Sequence, residues 1–482
     1  MQSNSKSVLS TFDQKIFAGF ALFTLLCIFG AGVSGVYYWY VLPFLLLFGL
    51  WFCVDIKGIY YLMLFSIPLS VEYNFSDSLA TDLPDEPLII LLTLVGIPYL
   101  LSSSNKFDIR FARHPLVWLL LLQVVWIFIA ALHSESWLVS FKFLAAKIWY
   151  LTVFVLLAAH FIRNAADFRQ VVWVVCLPLT VVVVYCIVRY AQMDFAFKYV
   201  NKSVVPFFRN HVNYAVIQAI LLPLMFYVRG TLKSGTMKRF LLNICLFVLI
   251  MGTILAYTRA VYVALLTLPL LWLMVQKRLT RHFFATILFL ALAAGVYLAA
   301  DNRYLELAPD YERTIQHDTF GGHLSATFEG KDMSFMERIY RWVAAIHMSQ
   351  DRLLTGFGPN HFYNYYKSYT VSAFETYVSD NPERSSVHNY FLLLLVEQGI
   401  IGSLLFIIFC VVILLTGERL YHSLLQPDDR RLAIALVLSQ GVILINLLVG
   451  DMIEVDEVGS FFYLNVAMLI NLDLFAAKQM EE

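Results

Sequence analysis

The stretch HNYFLLLLVEQGIIGSLLFIIFCVVILLT, residues 388–416, decides the fold of this chain. From Tyr390 onward it is almost wholly apolar, and Glu397 is its one charged residue. A helix of about 20 apolar residues crosses the roughly 30 Å hydrocarbon core of a bilayer. The stretch therefore predicts a transmembrane helix, with a titratable ring, His388, just before the point where the chain enters the membrane.

Composition extends this prediction to the whole chain. Of its 482 residues, 60% are hydrophobic and 14% are charged, whereas a soluble domain carries about 25% charged residues. Apolar runs that predict crossings lie near residues 15–31, 36–54, 57–70, 88–102, 115–132, 143–162, 170–190, 212–228, 239–256, 260–275, 283–299, 390–416, 431–449 and 459–476. The third and fourth runs are short. The predicted fold class is therefore all-α, a polytopic membrane protein with about 12–14 transmembrane helices.

Charge placement predicts the orientation, because Lys and Arg are retained on the cytoplasmic side of a membrane. With the N-terminus inside, the basic loops from Lys106–Arg113 to Arg419–Arg431 all fall in the cytoplasm. The acidic segments 71–87 and 450–458 and the long hydrophilic segment 300–388 fall outside. The first apolar run is expected to stay as a helix, since no small-residue cleavage site closes it as a signal peptide. Both termini are therefore expected in the cytoplasm.

One integrated domain in three consecutive parts is expected. An N-terminal helix bundle covers 1–299, an outer loop covers 300–388, and C-terminal transmembrane helices cover 389–482. In the loop, the turn TGFGPNHF is predicted to place Gly356 and Gly358 at positive φ. The acidic and basic residues are equal in number, 34 each, which argues against a nucleic-acid partner.

An amphipathic helix is predicted in the outer loop. The segment SFMERIYRWVAAIHM, residues 334–348, repeats apolar residues at helical spacing and predicts a helix from about 335 to 349. Ser334 followed three residues later by Glu337 has the spacing of a capping box. The sequence therefore predicts that Ser334 marks the start of this helix.

Several motifs together resemble the O-antigen ligase and polymerase superfamily. They are ERIYRW (337–342) with LLTGFGPNHF (353–362), HNYFLLLLVEQGIIG (388–402), FFRNHVNYA (207–215) and YTRAVYVAL (257–265). Members of this superfamily are bacterial enzymes that move glycans off undecaprenyl pyrophosphate outside the inner membrane. The likeness covers roughly residues 207–406.

The resemblance implies an inverting, metal-independent glycosyl transfer on the periplasmic face of the bacterial inner membrane, without a cofactor. The family's outer-loop histidine falls on His388, the arginine of its Ser/Thr-Arg pair on Arg259, and the arginine that opens its loop helix on Arg338. The segment with Arg209 and His211 departs from the Asn-rich form of many members, which weakens the transfer of roles to those two residues.

The residues also suit this chemistry without the resemblance. A leaving pyrophosphate needs its negative charge stabilised, and arginine binds phosphate through a planar fork of donors. Arg259, Arg338, Arg341 and Arg209 all lie on the predicted outer side and are the predicted pyrophosphate-binding residues. A histidine, with an ordinary pKa near 6.5, can accept a proton from the acceptor hydroxyl at neutral pH. His388 is therefore the predicted catalytic base.

Four further residues are predicted to support the site: Asn389, His211, Gly358 and Glu397. Glu397 lies nine residues beyond His388, which places it about 13 Å deeper along a helix. A direct pair with His388 is thus excluded and a structural role is favoured. Each candidate also has an alternative interpretation without a catalytic role. A histidine at a helix start is often only a cap, and outer arginines often extend to lipid headgroups.

No metal site is predicted. His317 and His323 stand six apart without a cysteine or a paired acidic motif. A rival interpretation keeps the acidic segment 71–87 as a holder of a divalent cation.

The favoured partners are an undecaprenyl-pyrophosphate-linked glycan as donor, lipid A core as acceptor and the lipid bilayer. Another lipid-linked glycan or a protein hydroxyl are alternative acceptors, which would make the chain a polymerase or a protein O-oligosaccharyltransferase. A transporter or flippase of lipid-linked glycans and a scaffold of envelope synthesis are alternatives of other classes. The clustering of arginines at the outer boundary disfavours a path for charge across the bilayer.

Overall fold

The computed structural model describes residues 11–76, 79–102, 108–309, 332–381 and 384–481. It is 81% helical with almost no strand, which confirms the all-α class. The α-helices are Thr11–Ser34, Leu42–Val54, Ile56–Ser66, Asp85–Leu101, Ile109–Ala112, Pro115–Leu132, Trp137–Leu151, Ala158–Phe161, Ala165–Ala191, Val200–Val204, His211–Thr231, Met237–Leu255, Arg259–Gln276, Thr280–Ala299, Met333–Asp351, Phe362–Tyr365, Tyr390–Ser423, Pro427–Leu447 and Asp456–Glu481. A π-helical stretch, Thr152–Leu157, joins Trp137–Leu151 to Ala158–Phe161, and 3-10 turns cover Tyr37–Tyr40, Ile67–Leu69, Phe197–Tyr199, Ala300–Leu307, Tyr366–Tyr369, Ser372–Phe374 and Met452–Glu454.

Eleven of the described helices are long and apolar enough to cross a membrane. A bent pair, Tyr37–Phe52 with Ile56–Leu69, raises the number to twelve if it is one span. The helix Asp85–Leu101 has 17 residues and is about 25 Å long, shorter than the roughly 30 Å core. With the bent pair counted as one span, the described helices give 12 crossings, the lower end of the predicted range of about 12–14. The runs that are short in the sequence do not form separate full-length spans.

The chain forms two compact units, Met1–Met63 and Leu64–Glu482. The first contains the helices Thr11–Ser34 and Leu42–Val54. The second contains every candidate site residue. The division of the chain at 299 and 388 stays a prediction.

The helix His211–Thr231 lies in the core of the second unit and is buried along most of its length. It packs against Pro427–Leu447 and Met237–Leu255. The side chain of Asn210 caps its start by accepting from the backbone N–H groups of Val212 and Asn213, at 2.9 and 3.0 Å. This cap fixes the segment Arg209–His211, of which Asn210 is the middle residue, at one end of the bundle.

The acidic segment 71–87 contains two short strands that the sequence analysis did not predict. Val71–Ser76 pairs antiparallel with Leu79–Leu83, and Glu72 lies opposite Asp82. The strands bring carboxylates of the segment close to one another.

The predicted amphipathic helix is confirmed as Met333–Asp351, which we call the loop helix. The predicted cap is wrong, because the capping side chain is Asp332 and not Ser334. Asp332 accepts from the backbone N–H of Phe335 at 3.1 Å, and Asp caps a helix as well as Ser does. Glu337 is then free of a capping role and bonds elsewhere in the loop.

The helix Tyr390–Ser423 is broken at Gly399, where φ is 68° and ψ is −173°; we call it the broken helix. The segment around TGFGPNHF fills the break. Phe357 N donates to Val396 O at 2.9 Å, and Ile400 N donates to Leu353 O at 2.8 Å. These bonds satisfy backbone groups that the break leaves without helical partners.

The predicted positive φ at Gly356 and Gly358 is confirmed, with values of 68° and 100°. A Cβ on Gly356 would lie 2.4 Å from the carbonyl carbon of Glu397, and one on Gly358 would lie 2.4 Å from Ser134 Cβ. Both glycines therefore allow the segment to pack closely against its neighbours, in addition to turning the backbone.

Candidate functional site

His388 lies at the start of the broken helix and has a left-handed backbone, with φ at 54°. Its N–H donates to Ser386 Oγ at 3.2 Å. The carbonyl of the preceding Val387 accepts from Trp342 Nε1 of the loop helix at 3.1 Å. Non-glycine residues in this conformation are sparse and mark sites where surrounding contacts hold the chain. The ring is thus presented by a backbone that the loop helix helps to fix.

Asn389 caps the broken helix. Its Oδ1 accepts from Leu392 N at 3.1 Å, and its Nδ2 donates to the carbonyl of Leu448 at 3.1 Å. The residue next to His388 therefore ties the helix start to the segment that follows Pro427–Leu447.

Burial and the positive charges of Arg338 and Arg341 lower the pKa of His388 to about 3. The imidazole is therefore neutral at pH 7, which is the form that can accept a proton. The same effect shows that His388, Arg338 and Arg341 lie close enough to interact electrostatically.

Arg259 lies on a membrane helix and belongs, with His388, Arg338 and Arg341, to the group of residues that we call the cluster. It is the first residue of Arg259–Gln276, and its Nη2 lies 3.0 Å from Asp332 Oδ2. Asp332 is fully buried and also caps the loop helix. One carboxylate therefore ties the arginine of a membrane helix to the start of the loop helix.

Arg338 lies among an excess of positive charge. Burial and the neighbouring charge of Arg259, and to a lesser extent that of Arg341, lower its pKa to about 10, although Asp332 acts in the opposite direction. The Nε atoms of Arg338 and Arg341 are buried without a hydrogen-bond partner among the described residues. Buried donors without partners are rare, so the cluster has the charge and the open donors to bind an anion.

Glu337 fills one side of the cluster. Arg341 Nη2 donates to its Oε2 at 3.2 Å, and Ser379 Oγ donates to its Oε1 at 2.7 Å. Thr376 Oγ1 donates to the same Oε1. Glu337 therefore connects the loop helix to the segment that contains Thr376 and Ser379.

Arg209 is exposed and lies in a different electrostatic neighbourhood. Its charge acts on Asp82 and Asp451. Burial raises the pKa of Asp451, which accepts a hydrogen bond from Ser386, and Arg209 acts against that rise. Ser386 also accepts from the N–H of His388, so Arg209 lies near the residues that contact His388, whereas the pKa of His388 responds to Arg338 and Arg341.

His211 lies beside Arg259. Its Nδ1 and its N–H are 2.6 and 3.0 Å from Asn201 Oδ1. Its carbonyl accepts from Thr258 Oγ1 at 3.4 Å. These contacts make His211 a support for the start of the helix that carries Arg259.

Glu397 and Gly358 lie at the break in the broken helix. The carboxylate of Glu397 accepts from the backbone N–H groups of Asn360 and Phe362, at 2.8 and 3.1 Å. Gly358 N donates to the carbonyl of Glu397 at 2.9 Å. The contacts of both residues hold the TGFGPNHF segment against the helix.

Sequence reasoning missed the acidic partners of the cluster. Asp332 and Glu337 neutralise part of the charge of Arg259 and Arg341, and Asp451 bonds Ser386. An Asp directly before the loop helix was a signal for the first. Lys147, buried with no evident partner in the sequence, pairs with Glu454 at 2.7 Å, and Glu454 also accepts from Tyr390 OH at 2.6 Å. No local pattern signals that pairing.

Three carboxylates form a second cluster. Oxygen atoms of Asp82, Glu86 and Asp456 all lie within 4.8 Å of one another, close enough to hold a metal ion. Burial, with Glu86 and Glu72 nearby, raises the pKa of Asp82 to about 6. These three carboxylates give the rival interpretation, a site for a divalent cation, a specific location. His317 and His323 lie outside the described residues.

Comparison with known families gives one match to part of the chain. Residues 244–407 match a family model described as O-antigen ligase. The match covers less than half of the chain and includes Arg259, the loop helix and His388. No curated protein matches the chain.

The match confirms the resemblance and places this part of the chain in the O-antigen ligase and polymerase superfamily. That superfamily consists of glycan-transfer enzymes of the ligase and polymerase kind. The apolar helices and the family together fit a multi-pass protein of the bacterial inner membrane.

Proposed function

We propose that this protein transfers a glycan from undecaprenyl pyrophosphate to an acceptor hydroxyl on the periplasmic side of the inner membrane, with lipid A core as the acceptor. The observation that carries the proposal is a neutral His388 close to the buried Nε atoms of Arg338 and Arg341, which have no hydrogen-bond partner among the residues that the structure describes. A base and an anion site lie side by side, as transfer from a pyrophosphate donor requires.

Arg338 and Arg341 bind the donor pyrophosphate through their open donors, and Arg259 adds a third positive charge from the membrane helix. Asp332 and Glu337 hold two of these arginines in place before the donor arrives. Charge develops on the pyrophosphate as it leaves. Removing one preorganised contact of this kind raises a reaction barrier by about 2.7–4 kcal/mol.

His388 accepts the proton of the acceptor hydroxyl, and the oxygen attacks the anomeric carbon opposite the pyrophosphate. The bond from that carbon to the pyrophosphate oxygen breaks, and its electron pair leaves on undecaprenyl pyrophosphate. One displacement inverts the anomeric configuration. The donor's negative charge offsets Arg338 and Arg341 and so raises the pKa of His388, which makes the ring a stronger base when the donor is bound.

The test is transfer from purified undecaprenyl-pyrophosphate glycan to lipid A core in detergent with EDTA. Wild type is compared with His388→Ala and with His133→Ala, a matched control whose ring is exposed and bonds the Ile129 carbonyl of the helix that His133 follows. We expect His388→Ala to lose about 10²–10⁴-fold in rate and the control to keep wild-type activity. Wild-type turnover by His388→Ala would contradict the assignment of the base.

Other products distinguish the alternatives. Elongated lipid-linked chains would make the protein a polymerase, and a glycosylated protein would make it an O-oligosaccharyltransferase. Activity that disappears in EDTA and is lost in Asp82→Asn would favour the metal-dependent rival. No product with any acceptor would favour a transporter or a scaffold.

A further inference from the structure

A second charged cavity lies at the other end of the helix His211–Thr231. It has a volume of about 690 Å³ and is lined by Arg169, Trp173, Thr231, Lys238 and Arg431, with Asp428 on one wall. Since His211 and Thr231 are the two ends of one 21-residue helix, this cavity is about 30 Å from His211, whose carbonyl bonds Thr258 beside Arg259. It therefore takes no part in glycan transfer.

Three positive side chains and one carboxylate line this cavity. Arg169 Nη1 pairs with Asp428 Oδ2 and also donates to Tyr227 OH at 3.1 Å. Within the part of the chain that the structure describes, neither Lys238 nor Arg431 forms an ion pair with a carboxylate. Their two charges face the cavity without compensation.

The surrounding backbone adds to this positive potential. Three helices, Ala165–Ala191, Met237–Leu255 and Pro427–Leu447, begin beside the cavity and contribute lining residues from their first turns. The N-terminus of a helix carries about half a positive elementary charge. The C-terminus of His211–Thr231 also lines the cavity and carries about half a negative charge, so it offsets one of the three N-termini. The side chains and the remaining helix ends favour an anion in the same place.

The apolar surface next to the cavity indicates what carries that anion. Met237 and Phe240, on either side of Lys238 in sequence, expose 77% and 61% of their surface. Trp173 lines the cavity itself, and Trp prefers the level of lipid headgroups. A soluble anion makes no use of exposed apolar side chains, whereas the acyl chains of a lipid cover them.

We propose that this cavity binds the phosphate headgroup of an anionic phospholipid, in the leaflet opposite the glycan-transfer site. Lys238 and Arg431 contact the phosphate, and the acyl chains lie along the helix Met237–Leu255. The lipid connects Met237–Leu255, which carries Lys238, to Pro427–Leu447, which carries Arg431, and so stabilises the bundle beyond the packing of both helices on His211–Thr231. Basic pockets between transmembrane helices recognise anionic headgroups by this combination of charge and apolar contact.

The test measures Tm of the purified full-length chain in neutral detergent with added phosphatidylglycerol, phosphatidylcholine or inorganic phosphate. The double variant Lys238→Ala/Arg431→Ala is compared with wild type and with Lys277→Ala/Arg281→Ala. The control pair has the same charges, is also exposed and lies outside the cavity. All four side chains are exposed, so each variant is expected to fold, which its Tm without lipid checks.

We expect phosphatidylglycerol to raise Tm of wild type and of the control, and its apparent affinity to fall about tenfold or more in Lys238→Ala/Arg431→Ala. Phosphatidylcholine should have no such effect. An equal loss of affinity in both double variants would overturn the site, since the effect would be general surface charge. An increase in Tm with inorganic phosphate alone, or none with phosphatidylglycerol, would overturn the assignment of a lipid.

Discussion

Arg259 and Asp332 form an ion pair with 3.0 Å between Nη2 and Oδ2, although they are 73 residues apart in the sequence. The arginine begins a membrane helix and the aspartate caps the loop helix. Because the loop helix also carries Arg338 and Arg341, this single contact sets where two further arginines lie relative to the membrane. It positions the proposed anion site as well as contributing to it.

Asp332→Asn should separate the ion pair with Arg259 from the capping of the loop helix. Asn keeps the N-cap but loses the charge, so the loop helix stays capped while the ion pair between Arg259 and residue 332 is lost. We expect a loss of about 2 kcal/mol in stability, as for a hydrogen bond to a charged group. Thermal unfolding measures the change, and Ser334→Ala, at the position that does not cap, is the control that should leave Tm unchanged. Equal stability of Asp332→Asn and wild type would mean that the pair is not formed.

Removing Arg341 should raise the pKa of His388. The positive charge of Arg341 disfavours the imidazolium, so Arg341→Ala should move the pKa upward toward its ordinary value near 6.5. The pH dependence of the reaction of His388 with diethyl pyrocarbonate measures it. Arg352→Ala, which removes a cation whose partner is Glu135, should leave the pKa of His388 unchanged. A downward shift in Arg341→Ala would contradict the arrangement.

The pH profile of transfer should depend on whether the donor is bound. In the free enzyme the pKa of His388 is about 3, so kcat/KM should show no acidic limb from this group near neutral pH, because the ring is already neutral. With donor bound the pKa rises, and the acidic limb of kcat should appear at higher pH. Steady-state rates from pH 4 to 8 test this; limbs at the same pH would show that the donor does not neutralise the arginines.

Gly399→Ala should destabilise the protein and impair transfer. The residue has φ at 68°, and a Cβ there would lie 2.1 Å from the carbonyl oxygen of Leu354. We expect a cost of about 1–3 kcal/mol from the backbone alone and a displaced TGFGPNHF segment. Gly295→Ala is the control, because no atom lies within 4 Å of its added Cβ. Thermal unfolding and the transfer rate are both measured, and unchanged values for Gly399→Ala would show that the break tolerates a side chain.

Local patterns in the sequence predicted the parts of this protein that depend on neighbouring residues. Apolar runs long enough to cross a bilayer indicated the membrane class, and the spacing around Ile339 and Val343 indicated the loop helix. Gly356 and Gly358 were predicted at positive φ because a glycine-rich turn needs it. The prediction that Ser334 caps the loop helix was wrong. Asp332 and Ser334 stand close together in the sequence and both can cap a helix, and Asp332, which pairs with the distant Arg259, is the one that does.

By itself, then, the sequence determined the all-α membrane architecture and the loop helix, because periodicity and hydropathy are local properties, and it nominated the arginines and His388 as candidates. Tertiary structure alone decided that Asp332 holds Arg259, that Glu397 binds the backbone of Asn360 and Phe362, and that His388 is neutral. Each of these depends on groups that are distant in sequence and close in space. Electrostatic energy and hydrogen bonding are set by that spatial distance, which no spacing along the chain records.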